Sequence, residues 1–380
     1  MSTKWLAAYA ACAAAASACA APPPAGHPAR GPTVFVIGVW VQPIDGMDAW
    51  KARGINTLVE IPQGHDPGPW IRAADSKGLY QIRRPAADLN ADLKDPHLLA
   101  WSTADEPSNK KGLFFGYGQV AQDPADIIKQ AAPWRAAAKA AGKFTPIWTN
   151  HVGPHIYPDW AQHNPLMRDY MQGPASDWLA SDGYPIQGHE PFVIRSNDGY
   201  TSTTQGVALD RQRAWSGGKP VMTFIGTSAF TTGSAVPTVG EFNAMAWSSV
   251  IHGACGIVYF PVQFQPGWSF DATPPALARA LTQFDRQLAT LEPILMDRTL
   301  GGRTPYRLFR SANAGAQPAA GQLPYPFEAA EIATAKGPYR IVLNLSPQPQ
   351  VLDRPEWGLS RAAFQPYEAR MGYSPSASPR

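Results

Sequence analysis

Residues 98–108 read LLAWSTADEPS. An apolar run leads into two adjacent carboxylates, Asp105 and Glu106, and Pro107 then stops it. A buried strand that delivers acids at its C-terminal end is how a parallel α/β barrel presents reactive groups. The flanking pattern decides whether the chain builds such a barrel.

Short β-branched runs alternate with helical patterns on both sides of this stretch. Strands are expected at 33–41 (TVFVIGVWV), 57–61, 79–83, 98–103, 144–149, 177–182, 220–225 and 256–260 (GIVYF). Helices are expected at 45–53, 70–77, 124–141, 206–215, 239–252 and 275–295, several closed by glycine. The last carries Leu277, Leu281, Phe284, Leu288 and Leu291, a helical stripe. Eight strands alternating with helices over about 260 residues is the size and order of an α/β (β/α)8 TIM barrel. A doubly wound sheet also alternates, but no glycine-rich phosphate loop follows the first strand, which ends VWVQPIDG. After residue 296 the helices cease. Strands at 306–310, 327–334, 339–345 and 365–370 suggest a small C-terminal all-β appendage. The expected division is thus a barrel at 33–296, a β domain at 297–372 and a disordered tail at 373–380.

The N-terminal 21 residues read as an export signal, with Lys4 followed by an alanine-rich apolar stretch. Ala16-Ser17-Ala18-Cys19 resembles a lipobox, which would make Cys19 a lipidated N-terminus. Plain cleavage after Ala18 or Ala20 is the alternative. Residues 22–32 are a Pro-rich tether. These features predict an exported bacterial protein, periplasmic or anchored to the outer membrane, touching a membrane only through that lipid. Cys255, the one cysteine after the signal, reads as a small core residue. A net charge of +3 without a dense Lys/Arg run argues against nucleic acid. Charged residues make up only 16% of the chain, which holds 13 Trp and 13 Tyr. That balance suits either a large packed core or flat rings stacking on sugar C–H faces.

Function collects where barrel strands end. Those ends carry Trp40 and Gln42, then Glu60, then Arg83 and Arg84, then Asp105 and Glu106. Trp148, Asn150 and His151 follow on the fifth strand, and Asp182 and Tyr184 on the sixth. The seventh ends in Gly226-Thr227 without an acid, and the eighth leads to Gln263, Phe264 and Trp268. These amides and rings, with His151 and Arg84, are candidate substrate contacts. His151 and His155 have a metal-compatible spacing, but no third ligand is evident, so neither metal nor cofactor is expected.

HLLAWSTADEP resembles the fourth strand of bacterial (β/α)8 glycoside hydrolases, where a Trp-containing strand ends in a catalytic acid. SDGYP at 181–185 resembles their sixth strand, EFNAMAWSSVIHGACGIVYF at 241–260 their seventh helix and eighth strand, and LEPILMDRT into RIVLNLSPQP the exit to a C-terminal β domain. The resemblance is to a superfamily, and it implies cleavage of a poly- or oligosaccharide. Such cleavage needs one protonated and one ionised carboxyl. Glu106 is the expected acid, with Asp105 either raising its pKa or pointing away to cap the loop. Many retaining members hold their nucleophile on strand seven, which is vacant here. Asp182, or less favourably Glu60, is the expected second carboxylate. The Asp105–Glu106 pair could instead serve a substrate-assisted, hexosaminidase-like reaction. A non-catalytic carbohydrate-binding barrel and a metal-dependent hydrolase remain the rival readings.

Overall fold

A computed structural model describes residues 31–109, 122–153, 164–187, 204–296, 306–310 and 327–373. The expected export signal, most of the expected tether, His155 and the tail beyond 373 lie outside these residues. Eight parallel strands close a barrel in chain order, β1 pairing with both β2 and β8. They are β1 Val36–Trp40, β2 Thr57–Val59, β3 Tyr80–Arg83, β4 Leu98–Ser102, β5 Ile147–His151, β6 Trp178–Ser181, β7 Val221–Gly226 and β8 Gly256–Phe260. One helix follows each: α1 Met47–Arg53, α2 Pro67–Ser76, α3 Leu89–Lys94, α4 Pro124–Ala140, α5 Asn164–Gln172, α6 Thr204–Trp215, α7 Val239–Ile251 and α8 Pro275–Leu295. The expected barrel is present.

Local chemistry explains several boundaries. Asp66 caps α2 through Gly68 N–H, with Pro67 at the first helical position. Capping boxes open α4 (Asp123, Asp126) and α7 (Thr238, Glu241). The short α3, absent from the sequence reading, is capped by Asp88 through Asn90 N–H; α5 was also unanticipated. β5 starts after Pro146, later than expected, because proline has no N–H for the ladder; its carbonyl still accepts from Trp101 N (2.9 Å).

Strand alternation divides the core into two faces. Val36, Trp40, Val59, Ile82, Ala100, Trp148, Trp178, Ala180, Met222, Phe224 and Val258 fill the lumen. The outward residues pack on the helices. Trp101 is one of them, its Nε1 donating to Asp92 Oδ2 on α3 (2.9 Å). Arg83, also outward and buried, pairs with Asp92 (2.8 Å) and Asp95 (3.4 Å). Arg83 is therefore part of the shell rather than the mouth.

After α8 come β9 Tyr306–Arg310, β10 Phe327–Thr334, β11 Gly337–Asn344, β12 Gln350–Arg354, β13 Leu359–Phe364 and β14 Ala369–Tyr373. They form a four-stranded antiparallel sheet in the order β14-β11-β10-β9 and a β12-β13 hairpin that the sequence did not suggest. The sheet shares one apolar core with the barrel's shell: Ala330, Ile332, Ile341 and Leu343 join Trp247, Val250, Leu288 and Leu295. At that seam His252, fully buried after α7, faces Glu328 of β10 (3.4 Å) and Asp210 of α6 (2.9 Å). Ser248 Oγ donates to Glu328 Oε2 (2.8 Å). No helix among the described residues is long and apolar enough to cross a membrane. Cys255 is half-buried, its Sγ 3.2 Å from the Val221 carbonyl.

Burial alone would lower the pKa of His252, but Asp210 and Glu328 overcome it and push it up to about 9. A raised histidine contributes fully below its unfolded value of about 6.5. The contribution then disappears as the pH rises through about 9. In urea unfolding, His252→Gln should cost about 3 kcal/mol near pH 6, and the cost should shrink between about pH 6.5 and 9 and be lost above about pH 9.

Candidate active site

The lumen's alternation continues past the strand ends and sets what enters the mouth. On β5, Trp148 and Asn150 point inward, while Thr149 and His151 point outward. His151, expected at the mouth, is instead buried against Tyr170 of α5 (ring centroids 5.8 Å apart). On β6, Trp178 and Ala180 point inward and Ser181 bonds outward to Gln212 of α6. Asp182, next in the inward series, sits at the rim and is 9% exposed.

Two glutamates reach the mouth by another route. Glu60 follows Val59, an inward residue, so alternation would send it outward. Its φ of +64° turns it back, and Glu106 has φ +45°. Left-handed backbone at a non-glycine residue costs about 1–2 kcal/mol. Such strain persists only where the surroundings impose it, commonly at functional sites. Because β4 ends at Ser102, residues 103–106 leave the strand, and both Asp105 and Glu106 turn toward the site. The alternative in which Asp105 points away is not what is found.

Asn150 Nδ2 joins two of the acids, donating to Asp105 Oδ1 (2.9 Å) and Asp182 Oδ2 (3.1 Å). Gly153 N–H donates to the other Asp182 oxygen (3.0 Å). This requires glycine: a Cβ on Gly153 would fall 2.2 Å from Gly183 N. Asn109 Nδ2 holds Glu106 Oε2 (2.8 Å), and Glu106 shares a hydrogen bond with Asp182.

The four carboxyls retain some solvent contact but are enclosed by protein, which raises all their pKa values. Burial is the leading cause for Glu60, lifted to about 7 and drawn back by Ser102, Arg84 and Arg83. Asp105 also rises to about 7 through burial and the charges of Asp182 and Glu60, partly offset by Asn150 and Arg84. Glu106 is pushed well above the usual range by burial, by the Asp182 charge and by donating its proton to Asp182. Asp182 rises less because Glu106, Gly153 and Asn150 stabilise its ionised form. Asp105 thus faces Glu60 as well as Asp182, and Glu106 faces both aspartates. Arg84, exposed, faces Glu60 and Asp105.

The opposite side of the mouth is aromatic. Tyr184 packs on Phe230 (4.7 Å) and Phe260 (5.2 Å). The series continues through Phe264 to Trp268 (5.5 Å) and Phe270 (5.5 Å). Trp268 is 55% exposed and presents an open face. The backbone of Gln263 pairs with Ser269 to form the base of its loop. Gln42 has a bracing place: its Nε2 donates to the carbonyls of Phe270 (2.8 Å) and Trp40 (3.0 Å), tying that loop to β1. Trp40 and Trp148 are lumen residues, 9% and 1% exposed, packed with Phe224. The Tyr184 hydroxyl lies close enough to Asp182, Asp105 and Glu106 for their charges to add to the rise burial causes, and it has no hydrogen-bond partner among the described residues.

Sequence reasoning missed Asn109, Gly153, Gln187 and Gln205. Asn109 was detectable three residues beyond Glu106; the others depend on contacts between distant segments. Three ligand-type side chains, Asp75, Asp95 and His97, cluster outside the mouth.

No family model and no curated protein matches the chain. Among solved structures, a glucosidase from Croceicoccus marinus matches at 13% identity and TM-score 0.45, over 86% of this chain and 78% of its own. The endo-β-1,4-mannanase from Thermotoga petrophila matches at 10% identity and TM-score 0.45, over 89% and 90%. The exo-β-1,4-mannosidase Op5Man5 from Opitutaceae bacterium strain TAV5 matches at 14% identity and TM-score 0.44, over 68% of this chain and 60% of its own. The chain therefore spans well under two thirds of that mannosidase. The barrel rests on its own strand pairing and the site on its own geometry.

A carboxyl raised from 3.8 to about 7 penalises the folded state increasingly as the pH climbs between those two values, because the unfolded chain ionises first. Asp105→Asn should therefore change stability little at or below about pH 4 and add ~1 kcal/mol or more near pH 8. Urea unfolding at the two pH values checks this; an equal effect at both would contradict the crowded-acid geometry.

Proposed function

We propose that the protein is an exported glycoside hydrolase acting on a poly- or oligosaccharide, with Glu106 as the general acid. The carrying observation is the enclosure of Glu106 beside Asp182 and Asp105, with Asn109 holding one of its oxygens (2.8 Å), a setting that favours its protonated form. An acid protonated at neutral pH can protonate a glycosidic oxygen as the bond to the anomeric carbon breaks. Export is supported by the N-terminal sequence pattern, and sugar binding by the aromatic wall ending in Trp268.

The reaction also needs an ionised carboxylate at a distance from the acid, about 5–5.5 Å for a nucleophile or about 6.5–9.5 Å for a base that activates water. Asp182, the favoured second carboxylate on sequence grounds, is hydrogen-bonded to Glu106 and so closer than either arrangement allows. It serves better to hold the proton on Glu106. Glu60 is separated from that pair by Asp105 and has Arg84 beside it to favour ionisation, so it is the better partner. Asp105, fixed by Asn150, orients the sugar between them.

A second reading has the sugar's own 2-acetamido group attack the anomeric carbon, with Asp105 orienting it. The placement of Asp105 on Asn150 beside protonated Glu106, together with the vacancy at the end of β7, favours it. Strict dependence on 2-acetamido substrates would select this reading.

Glu106→Gln should lower kcat by about a thousandfold or more on whichever members of an aryl glycoside and soluble polysaccharide panel the native protein cleaves, while binding persists. Undiminished turnover would remove Glu106 from the reaction. A native protein that binds glycans without cleaving them would make the barrel a binding module. With Glu60 near 7 and Glu106 pushed well above the usual carboxylate range by burial and the Asp182 charge, kcat/KM should rise as the pH increases through about 7 and fall again where Glu106 loses its proton.

A further inference from the structure

We propose that Gln187 is a sugar-binding residue that occupies the vacant place at the end of β7 and pairs through its amide with two neighbouring hydroxyls of the bound saccharide. The inference rests on the glycoside hydrolase reading and adds a specificity-determining residue to it.

On β7, Met222 and Phe224 point into the lumen, while Val221 and Ile225 pack in the shell and Thr223 bonds to Gln205 of α6. Gly226 therefore belongs to the inward series and would present a side chain at the rim. A Cβ added there would lie 2.4 Å from Gln187 Nε2 and 2.7 Å from its Cδ. The Gln187 amide thus fills the space that a β7 side chain would occupy.

The support beneath this amide is rigid. Gln205 Nε2 donates to the carbonyls of Gly183 (3.1 Å) and Phe224 (2.9 Å), locking the segment after β6 against β7. Gln187 is 1% exposed, yet neither Nε2 nor Oε1 has a hydrogen-bond partner among the described residues. Nearby hydroxyls are engaged: Thr227 with Thr273 (2.9 Å) and Ser228 with the Val262 carbonyl (2.9 Å). Buried polar groups are rarely left unpaired, because each costs about 1–3 kcal/mol. A primary amide offers one donor edge and one acceptor in a plane. Two adjacent sugar hydroxyls match it, one accepting from Nε2 and the other donating to Oε1.

The test uses the full chain carrying Glu106→Gln, so that bound sugar is not consumed. Binding is measured on a printed array of plant, algal and bacterial-wall glycans, then by calorimetry with the strongest binder. Gln187→Leu removes both polar groups. Gly226→Ala displaces the amide without altering it and covers the case in which Gln187→Leu fails to fold. Each should weaken Kd about tenfold or more, and the double variant should lose no more than either alone. A monodeoxy analogue lacking one of the paired hydroxyls should bind both forms of residue 187 with similar Kd. Unchanged Kd in both variants, with a lowered melting temperature, would mean that the amide's partner is a buried water, and would overturn the assignment while leaving the glycosidase reading intact. A folded Glu106→Gln protein that binds no glycan would overturn both together.

Discussion

A parallel strand in a closed barrel has two buried faces, and everything above follows from that constraint. One face fills the lumen and the other meets the helices. A charged residue on the outward face is therefore buried and must bring its own partners. Arg83 does so with Asp92 and Asp95, and the same Asp92 satisfies Trp101. One residue beyond the last lumen layer, the same alternation places side chains at a shared rim. Asn150 and Asp182 enter the mouth because they continue the inward series, not because their loops select them.

The rim is electrostatically costly. Four carboxyls are enclosed together with Arg84 facing them and Arg83 in the shell behind, and two of them stand on left-handed backbone. Nothing in the fold's stability calls for this arrangement. Buried like charges raise one another's pKa values and keep one member protonated. Strained, destabilising clusters of this kind are found where chemistry is done.

Much of this was legible in the sequence, for identifiable reasons. Buried parallel strands read as β-branched runs, and amphipathic helices such as α8 as a stripe, so the barrel could be inferred. The acids were visible because each follows such a run. Parity at the strand ends was less accessible. Pro146 delays β5, and only with β5 in place is it clear that Asn150 faces in and His151 faces out. Asp105 could not be oriented because the chain leaves the β conformation three residues earlier. Gln42 read as a ligand contact, but its amide is committed to two carbonyls, one of them more than two hundred residues away. Gln187 gave no signal at all, since its meaning depends on the missing side chain of Gly226, on another strand.

The seam between α7 and the C-terminal sheet has a consequence for how the protein can evolve. Its apolar residues come from both the barrel helices and β10–β11, and its buried histidine faces an acid supplied by β10. The sheet is therefore not a module that can be exchanged or lost by a simple cut between genes. A barrel inherited without it would keep its complete carboxyl rim yet carry an oily patch and a histidine stripped of one of its two acid partners on its flank. Recombination that preserves the rim would still be selected against at the level of solubility.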